Sequence, residues 1–107
     1  MMPTRKTFTP AKQFTTMKGR AHVLFKGRVQ GVWFRANTQG KARELGVTGW
    51  VRNLRDDSVE AVFEGERRDV EEVIRWCSTS QPHARVDSAE ISWEECAEEF
   101  QGFEIRY

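Results

Sequence analysis

Val70, Val73, Ile74 and Cys77 recur at i, i+3, i+4 and i+7, and this single apolar stripe constrains the rest of the chain. A helix with one apolar face must bury it against another element. Glu66, Asp69, Glu71 and Glu72 stand near its start, where the helix dipole favours acid, and Pro82 closes its exit. The surface it needs is legible in the alternations around it. Ala21, Val23 and Phe25 alternate with His22, Leu24 and Lys26 and predict a strand that ends at Gly27. Val47, Gly49 and Val51 alternate with Thr48, Trp50 and Arg52, and after the polar turn Arg55–Ser58 the residues Val59, Ala61 and Phe63 face one way. These two strands read as a hairpin. Ala89, Ile91 and Trp93 predict a fourth strand, and Phe103, Ile105 and Tyr107 a short last one.

A second helix lies between the first two strands. Phe34, Thr38, Ala42 and Leu45 fall at helical spacing, and Gly46 stops the segment. The predicted order is βαββαβ plus a short C-terminal strand. This is an α+β chain of the ferredoxin-like, split β-α-β kind, an antiparallel sheet with two helices on one face. That fold hosts enzymes, RNA-binding modules, metal carriers and regulatory domains, so it leaves function to the site.

At 107 residues the chain is expected to form one domain over residues 20–107. Residues 1–19, with Pro3, Pro10 and five threonines and no periodicity, are expected to be a disordered tail. No apolar run approaches the roughly 20 residues of a membrane span, so no membrane partner is expected. Cys77 and Cys96 are too few for a disulfide scaffold and read as reduced thiols in a cytoplasmic protein. His22 and His83 stand apart from any ligand pattern, and no metal or cofactor is expected. Charge is distributed unevenly: residues 1–43 hold ten Lys and Arg and no acid, while the remainder holds seven basic and sixteen acidic residues. An anionic partner near the first half follows from that field.

The stretch "GRVQGVWFR", Gly27 to Arg35, joins the first strand to the first helix. Amides of a tight loop running into a helix start can converge on an anion, aided by the dipole. Gly27 and Gly31 permit positive φ and close approach, and Arg35 in the first helical turn offers a guanidinium fork. Read this way, Arg28, Val29, Gln30, Gly31 and Val32 form a backbone cradle for phosphate. A merely tight turn explains the same residues equally well, and neither the Walker nor the dinucleotide glycine spacing is present. The second stretch, "GWVRN", ends at Asn53 on the face of Val47 and Val51. Its carboxamide either caps the turn or points into a pocket, where it can hold a water by donating and accepting at once.

Together, "GRVQGVWFR" and "LGVTGWVRN", in this order with a helix between them, resemble the acylphosphatase signature over about residues 20–107. The resemblance implies a small, metal-independent hydrolase of acyl phosphates. It implies that Arg35 binds phosphate, that Asn53 orients the attacking water, that the loop Arg28 to Val32 cradles the phosphoryl group, and that Thr38 supports the first helix. Asp56-Asp57 replaces the Asp-Gly usual at the hairpin turn, and Gln81-Pro82-His83 replaces a Gly-Pro loop. The sparse site suits the chemistry. A carboxylate leaving group, with a conjugate acid of pKa about 4, needs no general acid. Inorganic phosphate is expected as product and competitive inhibitor, and a monomer as the working form. Two alternatives belong to other classes. A nucleic-acid-binding module would fit the basic first half, but the RNP aromatic pattern is missing, so nucleic acid is not an expected partner. A carrier domain would bind a phosphate ligand without turning it over.

Overall fold

A computed structural model describes residues 17–107, and most of the expected tail lies outside that range. The elements are β1 (Lys18–Arg28), α1 (Phe34–Glu44), β2 (Thr48–Asn53), β3 (Val59–Glu66), α2 (Arg67–Thr79), β4 (Arg85–Glu94) and β5 (Phe103–Arg106). The first strand is longer than its apolar alternation. It begins at Lys18, inside the stretch expected to be tail, because Lys18 and Gly19 pair with Glu66 and Gly65.

The strands form one sheet in the order β4-β1-β3-β2-β5. Ala21, Val23 and Phe25 of β1 lie opposite Phe63, Ala61 and Val59 of β3, and Val51 of β2 lies opposite Ala61. Opposed residues share a face, and this face meets Phe34 and Ala42 of α1 and Val70, Val73, Ile74 and Cys77 of α2 in one buried core. Both helices therefore cover the same side, as the stripes required. The expected antiparallel arrangement holds for the first four strands. β5 joins the β2 edge in parallel, with Gly49 beside Phe103 and Val51 beside Ile105, so the sheet is mixed. Residues 95–102 form the crossover that carries the chain from β4 at one edge of the sheet to β5 at the other.

Aromatic rings bind these layers together. Phe25 meets Phe34 edge-on at 5.1 Å between centroids, and Phe63 stacks on Phe103 at 5.5 Å. Each such pair adds about 0.5–1.5 kcal/mol beyond burial. Phe34 is the first residue of α1, so its burial fixes where the helix begins.

The crossover is held by a buried acid. Glu64 is 2% exposed, and its Oε2 accepts the amides of Ala97 at 2.6 Å and Glu98 at 3.0 Å. Burial opposes ionisation of this carboxyl, but those amides, the Cys96 thiol and the Arg20 guanidinium outweigh it and hold the group below the usual glutamate value. Arg20 in turn pairs with Glu99 on the crossover and lies over the Phe100 ring.

Candidate active site

The loop between β1 and α1 is shaped by backbone geometry first. Gly31 has φ +72° and Trp33 φ +63°, so two left-handed residues turn the chain just before the helix. Gly31 has open space where a Cβ would stand, with no atom within 4 Å. Among the described residues, none of the loop amides from Gln30 to Trp33 donates to a backbone acceptor, and the first bond into the helix runs from the Asn37 amide to the Trp33 carbonyl at 3.0 Å. The helix start leaves its own first amides free as well. The loop and the helix start thus offer, among the described residues, a run of amides without backbone acceptors, and such donors are what an anion site uses.

The sequence assigned the freedom of Gly27 to ligand approach, and the structure gives another reason. Gly27 has φ +135° at the bulge between Lys26 and Gly27, and a Cβ there would stand 2.2 Å from the Arg85 carbonyl oxygen. The glycine lets β4 close on β1. Arg28 is likewise still part of β1, paired with Arg85, and lines a separate shallow hollow with Asp57 and Asp87. Val29 and Val32 turn inward to the core. Gln30 braces the loop, its Nε2 donating to the carbonyls of Leu54 and Ser58, both at 2.8 Å. Of the loop Arg28 to Val32, Val29 and Gly31 also line the pocket of Arg35 and Asn53.

The hairpin turn that receives Gln30 carries the Asp56-Asp57 pair. Asp57 takes the left-handed conformation usually given to glycine, with φ +72°. Asp56 Oδ1 compensates by accepting the Ser58 amide at 3.1 Å and the Ser58 hydroxyl at 2.5 Å. Those two bonds also hold the Asp56 carboxyl below its usual value. Asn53, the last residue of β2, lies immediately before this turn, opposite Val59.

Arg35 and Asn53, separated by a helix in sequence, line the same pocket. Its volume is about 360 Å³, and Gly31, Arg35 and Asn53 stand beside Val29, Phe34, Ala36, Trp33, Ile105 and Tyr107. Among the described residues no ion pair includes Arg35. Its guanidinium lies over the Tyr107 ring at 4.9 Å, which steadies the cation without neutralising it. The Asn53 Oδ1 is buried and accepts no hydrogen bond among the described residues. An orphaned acceptor costs about 1–3 kcal/mol, and it belongs to a residue that lines the same pocket as Arg35 and Gly31.

Three contributors to the site lay outside the two motifs. Gln81, in the Gln81-Pro82-His83 loop, is buried, and its Nε2 donates to Thr38 Oγ1 at 2.7 Å and to the Phe34 carbonyl at 3.2 Å. It ties the first turn of α1 to the end of α2, so the support expected of Thr38 is shared with a residue far along the chain. Ile105 and Tyr107 reach the pocket because β5 pairs in parallel with β2. Their alternation signalled a strand, but nothing local signalled its neighbour.

The acylphosphatase family profile matches residues 21–105. An acylphosphatase of Roseiflexus sp. (strain RS-1) is 55% identical over 86 residues, covering 80% of this chain and 92% of that protein. The crystal structure of acylphosphatase from Bacillus subtilis superposes with a TM-score of 0.79 at 28% identity, over 85% of this chain and all 100% of the other. An acylphosphatase structure from Coxiella burnetii gives 0.78 at 36% identity, over 83% and 93% of the two chains. With the profile spanning the whole sheet and both helices, and with both motifs meeting in one pocket, this chain belongs to the acylphosphatase family.

Proposed function

We propose that this protein hydrolyses acyl phosphates to a carboxylate and inorganic phosphate. The observation that carries the reading is the meeting of three features in one pocket: amides about Gly31, the Arg35 guanidinium and the buried Oδ1 of Asn53, none of them paired among the described residues. The amides and Arg35 hold the phosphoryl oxygens and balance the charge that develops on them. Asn53 Oδ1 accepts a hydrogen bond from a water and so aims the lone pair of that water at phosphorus. The water oxygen bonds to phosphorus as the P–O bond to the acyl group breaks. The electron pair of that bond leaves on the carboxylate, and the water's proton passes to a phosphoryl oxygen, because an amide is no base near neutrality.

Inorganic phosphate fits the same cradle and acts as a competitive inhibitor under this reading. A monomer in the cytoplasm is the proposed setting; no helix among the described residues is long and apolar enough to cross a membrane. The test is hydrolysis of benzoyl phosphate by the purified protein in excess chelator, with Arg35→Ala alongside. Turnover by the wild type, lost in the variant together with inhibition by phosphate, is the expected result. A folded wild type that binds phosphate without turnover would leave a binding domain in place of an enzyme.

A further inference from the structure

We propose that Trp33 is the specificity-determining residue of the site, an aromatic platform that receives the acyl group and favours flat, unsaturated or aryl acyl phosphates. The inference rests on the hydrolase reading for the identity of the substrate, and on separate observations for the residue. Trp33 occupies the left-handed region, φ +63°, where a bulky side chain is strained. It is also 77% exposed, so it gains little from burial. Among the described residues its ring has no aromatic partner and no cation over it. Glycine or asparagine would turn the chain there at less cost. A strained and exposed tryptophan contributes little to the fold, and strain of this kind collects where a ligand is handled.

The pocket supplies the ligand's direction. Among its lining residues Phe34 and Val29 are buried, whereas Trp33 is 77% and Tyr107 98% exposed, so those two rings mark its open side. Asn53 Oδ1 lies at the buried end. In-line attack requires the leaving oxygen to stand opposite the water. If Asn53 holds that water, the acyl group projects away from the buried end and toward the two exposed rings. A phosphoryl group bound at Gly31 and Arg35 leaves that outer volume for the acyl group. A planar acyl group can stack there on Trp33, whereas an acetyl group reaches little of either ring.

The test compares wild type, Trp33→Gly and Trp33→Phe in two assays. Glycine removes the ring and relieves the backbone strain, so the variant is not at risk of unfolding through φ. In hydrolysis, the ratio of kcat/KM for benzoyl phosphate over acetyl phosphate is expected to fall about tenfold in Trp33→Gly, mainly through KM for benzoyl phosphate, and to be largely retained in Trp33→Phe. In calorimetry, phenylphosphonate is expected to bind about tenfold more tightly than methylphosphonate to the wild type and with nearly equal affinity to Trp33→Gly. An unchanged ratio in Trp33→Gly overturns the proposal, as does a loss of benzoyl preference in no assay but a shared loss of both substrates. Discrimination between the phosphonates by a wild type that turns over neither acyl phosphate would keep the platform and discard the hydrolase reading.

Discussion

Replacing Asn53 by alanine separates the two halves of the proposed chemistry, because the structure gives opposite signs for its effects on stability and on turnover. The Asn53 Oδ1 is buried without a partner, and such an atom costs about 1–3 kcal/mol when left unsatisfied. Truncation removes that cost and a small amount of packing, so Asn53→Ala is expected to be at least as stable as the wild type, by about 1 kcal/mol. With a urea slope of about 1–2 kcal/mol/M for a small domain, the midpoint followed by far-UV circular dichroism rises by about 0.5–1 M. Loss of the group that orients the water removes one preorganised interaction, worth about 10²–10³ in kcat. In the proposed site phosphate is held by Arg35 and the Gly31 amides, so its inhibition constant and the KM for benzoyl phosphate are expected to stay within about twofold while kcat falls. A more stable and nearly inactive enzyme that still binds phosphate is the predicted signature. Full turnover in Asn53→Ala would refute the role of the carboxamide. Loss of phosphate inhibition in step with kcat would show that Asn53 shapes the cradle instead of aiming water.

The glycines offer a graded test of the backbone argument. Gly49→Ala would set a Cβ 1.9 Å from the Val62 carbonyl oxygen at φ +135°, so a loss of about 3 kcal/mol or more in urea unfolding is expected. Gly31→Ala meets no atom within 4 Å but keeps φ +72°, and a loss of only about 1–2 kcal/mol is expected; equal losses would contradict the geometry. Burial pushes the Cys77 thiol up to about 11, with the hydrogen bonds to Thr38 and Gln81 opposing it. The folded state therefore keeps a proton that the unfolded chain releases from about pH 9. Stability is full below pH 9 and declines as pH rises toward 11. Cys77→Val is expected to flatten part of that decline, while iodoacetamide labelling at pH 8 followed by mass spectrometry should modify Cys77 only after unfolding.

Most of the architecture was legible because its causes are local. The stripe Val70, Val73, Ile74 and Cys77 and the strand alternations depend on residues a few positions apart, and their periods name the element directly. Arg35 and Asn53 were legible for a related reason: each sits at a helix start or a strand end, fixed by glycines and turn residues beside it. The sequence by itself thus determined the order of elements, the shared helix-bearing face and the two motifs to which the chemistry is assigned in the proposed function. Tertiary structure alone decided what those motifs meet. Gln81 reaches Thr38 across 43 positions, and Gln30 reaches Ser58 across 28. The freedom of Gly27 serves a strand nearly 60 residues on, through the Arg85 carbonyl. Glu64 anchors a crossover that turns β5 into a parallel neighbour of β2 and so brings Tyr107 over Arg35. A side chain's period reports which face it takes, but hydrogen-bond partners and strand neighbours are chosen by the packed whole, where an unpaired buried group is costly and few arrangements pair most of them.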